Sequence, residues 1–226
     1  MSSQYALYEI NKISARFAPE AGVPKGVKPH YNITPAQSVV VIVSRDGVRQ
    51  IETMKWGFIP AGAKDNNSIF RYKTHNARSE DVFDKPTWSR AIRERRCLIP
   101  ANGFYEFKAT ENGKNAFYIR PADQQIFAFA GIYGTWTDPN GVTFGMCSII
   151  TTISDADDDM TPSRLPVIVR PEDEADWLNP TASDMNSIYK IMKPYTPSQL
   201  SIIRVSEDVK SSKIDKPYLI ERFVKQ

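Results

Sequence analysis

The chain has 226 residues, of which 41% are hydrophobic and 24% are charged, the composition of an ordinary globular protein. Its length suits one domain spanning residues 1–226, and its net charge of +3 permits a nucleic-acid partner without requiring one. No apolar stretch approaches the roughly 20 residues of a membrane span and no signal-peptide pattern is present, so we expect a cytoplasmic protein with no membrane partner.

Strand-like segments dominate the sequence. Residues 38–44 form a continuous β-branched run, which predicts a buried strand. Asp46-Gly47 is a hairpin-turn signal, after which the chain returns as a strand over residues 48–54. The further predicted strands cover residues 103–108, 116–120, 126–133 and 143–152.

Predicted helices are fewer and shorter. Residues 86–95 carry apolar residues on one side and arginines on the other, while residues 171–178 and 183–191 begin with helix-start signals. Thr196-Pro197 followed by Gln199 predicts one more capped turn before a closing strand. The order of elements predicts an α+β fold built on a mainly antiparallel sheet or distorted barrel with a few short helices.

One group of polar residues stands out as a candidate site. Asn76 and Arg78 occur in the segment Thr-His-Asn-Ala-Arg, and Glu106 follows two aromatic residues in a predicted strand. A guanidinium offers a bidentate fork to phosphate, and an amide can both donate and accept hydrogen bonds. If Glu106 points inward, desolvation raises its pKa into the range useful for acid–base chemistry. The alternative is an exposed strand Glu and a solvent-facing Arg.

Two further features suggest contacts with nucleic acid. Trp56 belongs to a Trp-Gly-Phe-Ile-Pro run that is suited to stacking on bases, although such aromatic residues are more often core. Arginines crowd into residues 90–96, where Arg90 and Arg93 are candidate phosphate contacts. A solvated helix face is the alternative for this cluster.

The cysteines and histidines suggest no metal chemistry. Cys97 and Cys147 each lie in an apolar run, which favours buried thiols over a disulfide. The chain has only two His residues and no ligand spacing, so we expect neither a metal nor another cofactor.

Seven ordered motifs resemble those of the SOS-response-associated peptidase (SRAP) family, whose members process abasic sites. The resemblance runs nearly end to end, and its most specific block is Arg-Cys-Leu-Ile-Pro-Ala-Asn-Gly-Phe-Tyr-Glu, ending at Glu106. The other motifs are Tyr31-Asn32-Ile33-Thr34-Pro35, Trp56-Gly57-Phe58-Ile59-Pro60, His75-Asn76-Ala77-Arg78-Ser79-Glu80, Ala130-Gly131-Ile132-Tyr133, Ser163-Arg164-Leu165-Pro166-Val167-Ile168 and the closing pair Val205-Ser206 with Pro217-Tyr218-Leu219-Ile220.

The resemblance implies an SRAP-like fold and binding to single-stranded DNA that carries an abasic site. Separately, we expect the chain to be a monomer. In that family the initiator Met is removed, and the exposed Cys condenses with the sugar aldehyde to form a thiazolidine cross-link. Carried over to this chain, Asn76 would orient the reacting sugar and Glu106 would be the acid–base partner of the N-terminal amine. Arg78 would hold phosphate, and Arg164 would brace the pocket or contact DNA.

Three positions depart from the family pattern. Ser2 stands where the nucleophilic Cys is expected, Gln4 replaces an Arg expected to meet phosphate, and Pro162 occupies the position of a His. A serine hydroxyl is a far weaker nucleophile than a thiolate unless a base activates it. We therefore expect covalent cross-linking through Ser2 to be weak, reversible or lost.

Two alternative functions remain open from the sequence. The first is a peptidase or other hydrolase in which Ser2, exposed by removal of Met1, acts as an N-terminal nucleophile. The second is a non-catalytic protein that has left DNA and binds a protein partner. Salt-dependent binding to an oligonucleotide would distinguish DNA binding from the second alternative.

Overall fold

Strands make up most of the regular structure. A computed structural model of the chain describes residues 3–59, 68–110, 113–154, 156, 160–181 and 184–224. The strands in this part of the chain are β1 Tyr5–Leu7, β2 His30–Ile33, β3 Ser38–Arg45, β4 Val48–Trp56, β5 Asn76–Arg78, β6 Arg96–Ala101, β7 Gly103–Thr110, β8 Gly113–Pro121, β9 Phe127–Thr137, β10 Thr143–Ile153, β11 Arg164–Pro166, β12 Ile168–Val169 and β13 Leu200–Val205.

The α-helices in the same described ranges are short. They are α1 Ile13–Phe17, α2 Ser68–Tyr72, α3 Ser89–Glu94, α4 Glu174–Leu178 and α5 Met185–Ile191. Single 3₁₀ turns cover Ile10–Lys12, Pro171–Asp173, Pro197–Gln199, Glu207–Lys210 and Pro217–Ile220. Within the described residues, no helix has the length and apolar character needed to cross a membrane.

A closed barrel forms the centre of the molecule. Strand β10 pairs with both β4 and β9, and β4, β3, β6 and β9 are joined in that order, so the ring of strands closes. Pairing is antiparallel within this ring except between β4 and β10. Strands β5 and β11 extend the sheet from β10, and β12 extends it from β9. This architecture confirms the predicted α+β fold with a mainly antiparallel, barrel-like sheet.

A second sheet of five strands, in the order β13-β8-β7-β1-β2, packs against the barrel. Its short strand β1 lies between β2 and β7, and Tyr5 pairs with Phe104. The side chains of β1 alternate between two apolar clusters. Tyr5 and Leu7 belong to the main core that the sheet shares with the barrel, whereas Ala6 belongs to a smaller cluster on the other face.

Local sequence signals account for the best-predicted elements. Strands β3 and β4 form the expected hairpin, in which Asp46 and Gly47 have φ values of 53° and 81°. Two successive residues with positive φ define the turn that matches the twist of paired strands. The strands expected near residues 103–108, 116–120, 126–133 and 143–152 correspond to β7, β8, β9 and β10, each slightly longer than predicted.

The predicted helices exist but are shorter. Residues 86–95 contain only the helix α3, and residues 171–178 contain a 3₁₀ turn before α4. Asp184 caps α5 by accepting from the amides of Asn186 and Ser187. The amide of Thr196 donates to Gln199 Oε1 at 3.0 Å, as expected for the capped turn.

The interior of the barrel is tightly packed around Gly131. Cys97 and Cys147 are both free and fully buried, and burial raises the pKa of each thiol, which confirms that they are inert core residues. Gly131 pairs with Cys97 across β6 and β9. A Cβ added at Gly131 would lie 2.7 Å from the Cys97 sulfur and 2.9 Å from Ile99 Cδ1.

We predict that Gly131→Ala lowers the free energy of unfolding by about 1–3 kcal/mol, because the added methyl overpacks the barrel. Gly22→Ala is the matched control, since nothing lies within 4 Å of a Cβ built there. Urea unfolding of the variants and the wild type measures the difference. Equal midpoints for Gly131→Ala and wild type would show that this part of the barrel is loosely packed.

Candidate functional site

Glu106 points toward the space between the two sheets. Side chains alternate along β7, where Tyr105 is fully buried in the smaller apolar cluster and Phe104 in the main core. Glu106 therefore shares a face with Phe104. Its cross-strand partner on β8 is Phe117, which packs against the main core. The predicted inward orientation of Glu106 follows from this alternation.

The pairing of β1 with β7 brings the start of the chain to Glu106. The amide of Tyr105 donates to the carbonyl of Gln4 at 3.0 Å, so the pairing continues one residue before β1. The same antiparallel register, continued by one more residue, sets Ser3 opposite Glu106. Ser2, the candidate nucleophile, lies outside the described residues.

The side chain of Gln4 is buried, which corrects the expectation that it contacts DNA. It is 7% exposed, and its Nε2 donates to Asn32 Oδ1 at 2.7 Å and to the Val209 carbonyl at 2.6 Å. Asn32 Nδ2 donates in turn to the carbonyls of Val209, Ser211 and Ile214. Residue alternation turns Gln4 away from the Glu106 face, so its amide fastens β1 to the C-terminal segment.

Asn102 fixes the other end of β1. This fully buried amide accepts at Oδ1 from the backbone amides of Tyr8 and Glu9, at 2.8 Å and 3.2 Å. Its Nδ2 donates to Glu9 Oε2 and to the Gln125 carbonyl. Asn102, which belongs to the most specific motif, therefore has a structural role. It holds β1 beside β7.

A cavity of about 300 Å³ opens beside Glu106. Glu106 and Phe117 lie on its β7–β8 side, and residues 160–164 line the other side, with Pro162 and Arg164 among them. Its volume is at the lower end of the range of ligand pockets, roughly 300–1,000 Å³. The structure thus brings together Glu106, Arg164 and the residue at the expected His position.

Asn76 and Arg78 occupy strand β5, which runs parallel to β10. Asn76 is 9% exposed, whereas the side chain of Arg78 is exposed. Neither residue lines the cavity beside Glu106. Arg78 pairs with Thr151, and the Thr151 carbonyl accepts a hydrogen bond from Arg164 at 3.0 Å. Arg164 therefore connects the β5 strand to the Glu106 cavity.

Arg164 is firmly held by Glu80. Its two terminal nitrogens donate to the two carboxylate oxygens of Glu80 at 3.0 Å and 3.1 Å, a bidentate fork. The side chain of Arg164 is 17% exposed. Desolvation by itself raises the pKa of Glu80, but hydrogen bonds, chiefly from Arg164, act in the opposite direction, and the net effect is a lowered pKa. Arg164 is therefore held in place beside the cavity, and its role in bracing the pocket or contacting DNA stays a prediction.

Trp56 does not form an exposed stacking surface, which corrects that expectation. It is 1% exposed, and its indole N–H donates to the carbonyl of His75 at 2.8 Å. Its ring packs edge-on against Tyr5 at 5.2 Å and against His75 at 5.8 Å. Trp56 therefore joins β1 to the segment that precedes Asn76, and any contact with a base would require it to leave the core.

Burial shifts the pKa values of Glu106 and His75 in opposite directions. Desolvation raises the pKa of Glu106 to about 7, and the positive charge of the amino terminus and a hydrogen bond from the Phe107 amide oppose the rise. Desolvation lowers the pKa of His75 to about 4, and the charge of Lys73 adds to this effect. At neutral pH, Glu106 can therefore both hold and release a proton, while His75 is neutral.

The arginine cluster divides into exposed and buried members. Arg90 is exposed and forms an ion pair with Glu94 at 2.9 Å. Arg93 donates to the backbone carbonyls of Phe83 and of Ser89, the first residue of α3. Arg96 is 3% exposed and donates to the carbonyls of Trp177 and other residues, so it is structural. Arg90 and Arg93 remain available to solvent as candidate phosphate contacts.

Sequence reasoning missed an exposed aromatic and basic surface on α2. Phe70 and Tyr72 are 58% and 60% exposed. Arg71, which lies between them, and Lys73, which follows Tyr72, are exposed too. Ile69 anchors this turn in the core. We call these four exposed residues, which lie on α2 and immediately after it, the α2 patch; two residues separate the patch from β5. The alternation of aromatic and cationic residues was the signal in the sequence.

Comparison with known proteins identifies the family. The model of the SOS response associated peptidase (SRAP) family matches residues 1–212. The chain belongs to the SRAP family. It is 34% identical over 224 residues to the abasic site processing protein YoqW of Bacillus subtilis, an alignment that covers 98% of this chain and 99% of that protein.

Similar proteins also occur in other bacteria and in vertebrates. The abasic site processing protein HMCES of Gallus gallus is 26% identical over 220 residues, covering 84% of this chain and 65% of that protein. A crystal structure of a Bacteroides thetaiotaomicron protein superposes with a TM-score of 0.84 at 27% identity, covering 98% of this chain and 99% of that one. Among the described residues of this SRAP chain, no cluster of His, Cys, Asp and Glu could hold a metal ion.

We predict that Glu106→Gln changes how stability depends on pH. Because the folded pKa of Glu106 is about 7 and the ordinary value is 4.5, the folded state binds more protons between these pH values. The free energy of unfolding of wild type relative to Glu106→Gln should therefore fall, by on the order of 2 kcal/mol, as pH rises from about 4.5 to about 7.

Urea unfolding of both proteins across this pH range measures the difference. Taking the difference between the two proteins removes the contribution of His75, whose lowered pKa acts with the opposite sign. A difference that stays constant with pH would mean that Glu106 is solvated.

Proposed function

We propose that this SRAP protein binds single-stranded DNA at abasic sites and that its covalent attachment to the lesion is weakened or lost. The observation that carries the proposal is the register that sets the first described residues opposite Glu106, beside a cavity. The abasic-site processing named for relatives such as YoqW supports the choice of lesion.

Glu106 suits the chemistry of an aldehyde and an amine. An abasic sugar in its open form carries an aldehyde, which an amine attacks to form a C–N bond and a carbinolamine. Loss of water from the carbinolamine needs a proton donor, and the reverse reaction needs a base. Since the pKa of Glu106 is about 7, one carboxyl group can serve in both roles at neutral pH.

The residues at the substituted positions reduce the covalent reaction. In the sequence, Ser2 offers a hydroxyl in place of a thiol, and an oxazolidine ring is less stable than a thiazolidine. Pro162 lines the cavity where a His would add a second proton carrier. If Met1 is removed, the α-amine of Ser2 still allows a reversible imine. The pocket therefore keeps its acid–base group and loses its strong nucleophile.

The α2 patch supports a single-stranded partner. Its exposed rings offer faces on which unpaired bases can stack, and its two cations favour phosphate. Asn76 and Arg78 follow the α2 patch along the chain. We therefore expect a DNA strand that lies on α2 to extend toward these two residues. We propose that Arg78 contacts a phosphate of the same strand and that Asn76 orients the sugar, with Arg90 and Arg93 as outer phosphate contacts.

An oligonucleotide with one abasic site tests the covalent part of the proposal. Wild type should give no heat-stable adduct without reductant, and borohydride should trap an adduct if the imine forms. Ser2→Cys should give a heat-stable adduct without reductant, at least about tenfold more than wild type, because a thiolate is the stronger nucleophile. Denaturing electrophoresis after heating measures the adduct.

The outcomes separate the alternatives. A heat-stable adduct of the wild type would contradict the weakened cross-linking. If neither protein binds the oligonucleotide under any salt condition, the DNA proposal fails, and a hydrolase or a protein-binding role takes its place. If Ser2→Cys binds the oligonucleotide in a salt-sensitive way and then forms the adduct, the rest of the pocket is competent for the reaction.

We predict that Phe70→Ala and Tyr72→Ala each weaken binding to single-stranded DNA by about 1–3 kcal/mol, the usual effect of losing one stacked base. Phe223→Ala is the matched control, because Phe223 is another exposed aromatic residue, 40% exposed, that lies in the C-terminal segment and not in the α2 patch. Fluorescence anisotropy with a labelled oligonucleotide measures the affinities. Equal affinities for all three variants would remove the α2 patch from the interface.

A further inference from the structure

Lys108 shares the cavity with Glu106. The two residues lie on the same face of β7, since side chains two positions apart along a strand point the same way. Both line the cavity, and Phe117, directly opposite Glu106, forms an apolar part of its wall. Lys108 is partly buried, the usual setting in which a lysine packs its alkyl chain against apolar neighbours and keeps its ammonium group in solvent.

Among the described residues that line the cavity, Lys108 is the cation without a carboxylate partner. Arg164 is neutralised by its bidentate pair with Glu80. Within the described residues, Lys108 has neither an ion pair nor a side-chain hydrogen bond, whereas Lys12, Lys85 and Lys210 all pair with acidic side chains. Among the described residues that line the cavity, no carboxylate is paired with Lys108, and an unpaired ammonium group attracts an anion.

We propose that Lys108 binds a phosphodiester of the DNA strand at the mouth of the Glu106 cavity and so positions the lesion against Glu106. The inference rests on the proposed function, which supplies the DNA strand. The sugar next to that phosphate would lie against Phe117, and the aldehyde carbon would face Glu106. Lys108 is thus a positioning residue that anchors the backbone.

The salt dependence of binding provides the test. Each phosphate contact with a single strand contributes roughly 0.7 to the slope of log K against log salt concentration. An oligonucleotide with a tetrahydrofuran analogue of the abasic site binds without aldehyde chemistry, so the slope reports contacts alone. Lys108→Gln should lower the magnitude of this slope by about 0.7, and Lys108→Arg should restore it.

Lys114→Gln is the matched control. Lys114 pairs with Ala109 across β7 and β8, so it extends from the opposite face of the same sheet. Its removal changes the net charge equally and should leave the slope at the wild-type value. A slope that falls equally in both variants would show a general charge effect and overturn the proposal.

Two further outcomes would overturn the inference without affecting the proposed function. The first is a wild-type protein with a steep salt slope that Lys108→Gln leaves unchanged. The second is a borohydride-trapped adduct on a true abasic oligonucleotide that peptide mapping assigns to Lys108, which would make Lys108 a nucleophile. If wild type shows no salt-sensitive binding at all, the proposed function itself fails.

Discussion

Strand β1 ties the start of the chain to the five-stranded sheet, and the site depends on that constraint. Asn102 holds the end of β1 through the amides of Tyr8 and Glu9, and Gln4 fastens its beginning to Asn32 and Val209. These buried amides are costly to leave unpaired, so the strand has one register. That register sets the first described residues opposite Glu106, whose pKa burial raises to about 7.

The electrostatics of the site follow from the same packing. Because Glu106 faces the space between the sheets, desolvation raises its pKa to about 7. Arg164 and Glu80 neutralise each other at the side nearest β5. The cavity therefore combines Glu106, whose pKa lies near 7, with the cation of Lys108, which supports the proposed binding of an anionic DNA strand. In the proposed reaction, Ser2 and Pro162 weaken the covalent step while Glu106 is retained as the acid.

Local patterns predicted more of the fold than of the site. The β3–β4 hairpin follows from Asp46-Gly47 alone, and Glu106 is recognisable from its position in a strand. Gln4 and Trp56 were assigned to the surface because their burial arises from partners distant in sequence, such as Val209 and His75. Strand β6 went unpredicted because its Pro100 argues against a central strand, and its pairing with β9 is nonlocal.

Disulfide trapping between Ser3→Cys and Glu106→Cys tests the register most directly. These positions face each other in the proposed pairing, where Cβ atoms are close enough for a disulfide, and the native thiols are too deeply buried to compete. Mild oxidation should link this pair rapidly and leave Ser3→Cys with Tyr105→Cys, whose side chains lie on opposite faces, unlinked. Slow or equal formation in the two double variants would contradict the placement of the chain's first residues beside Glu106.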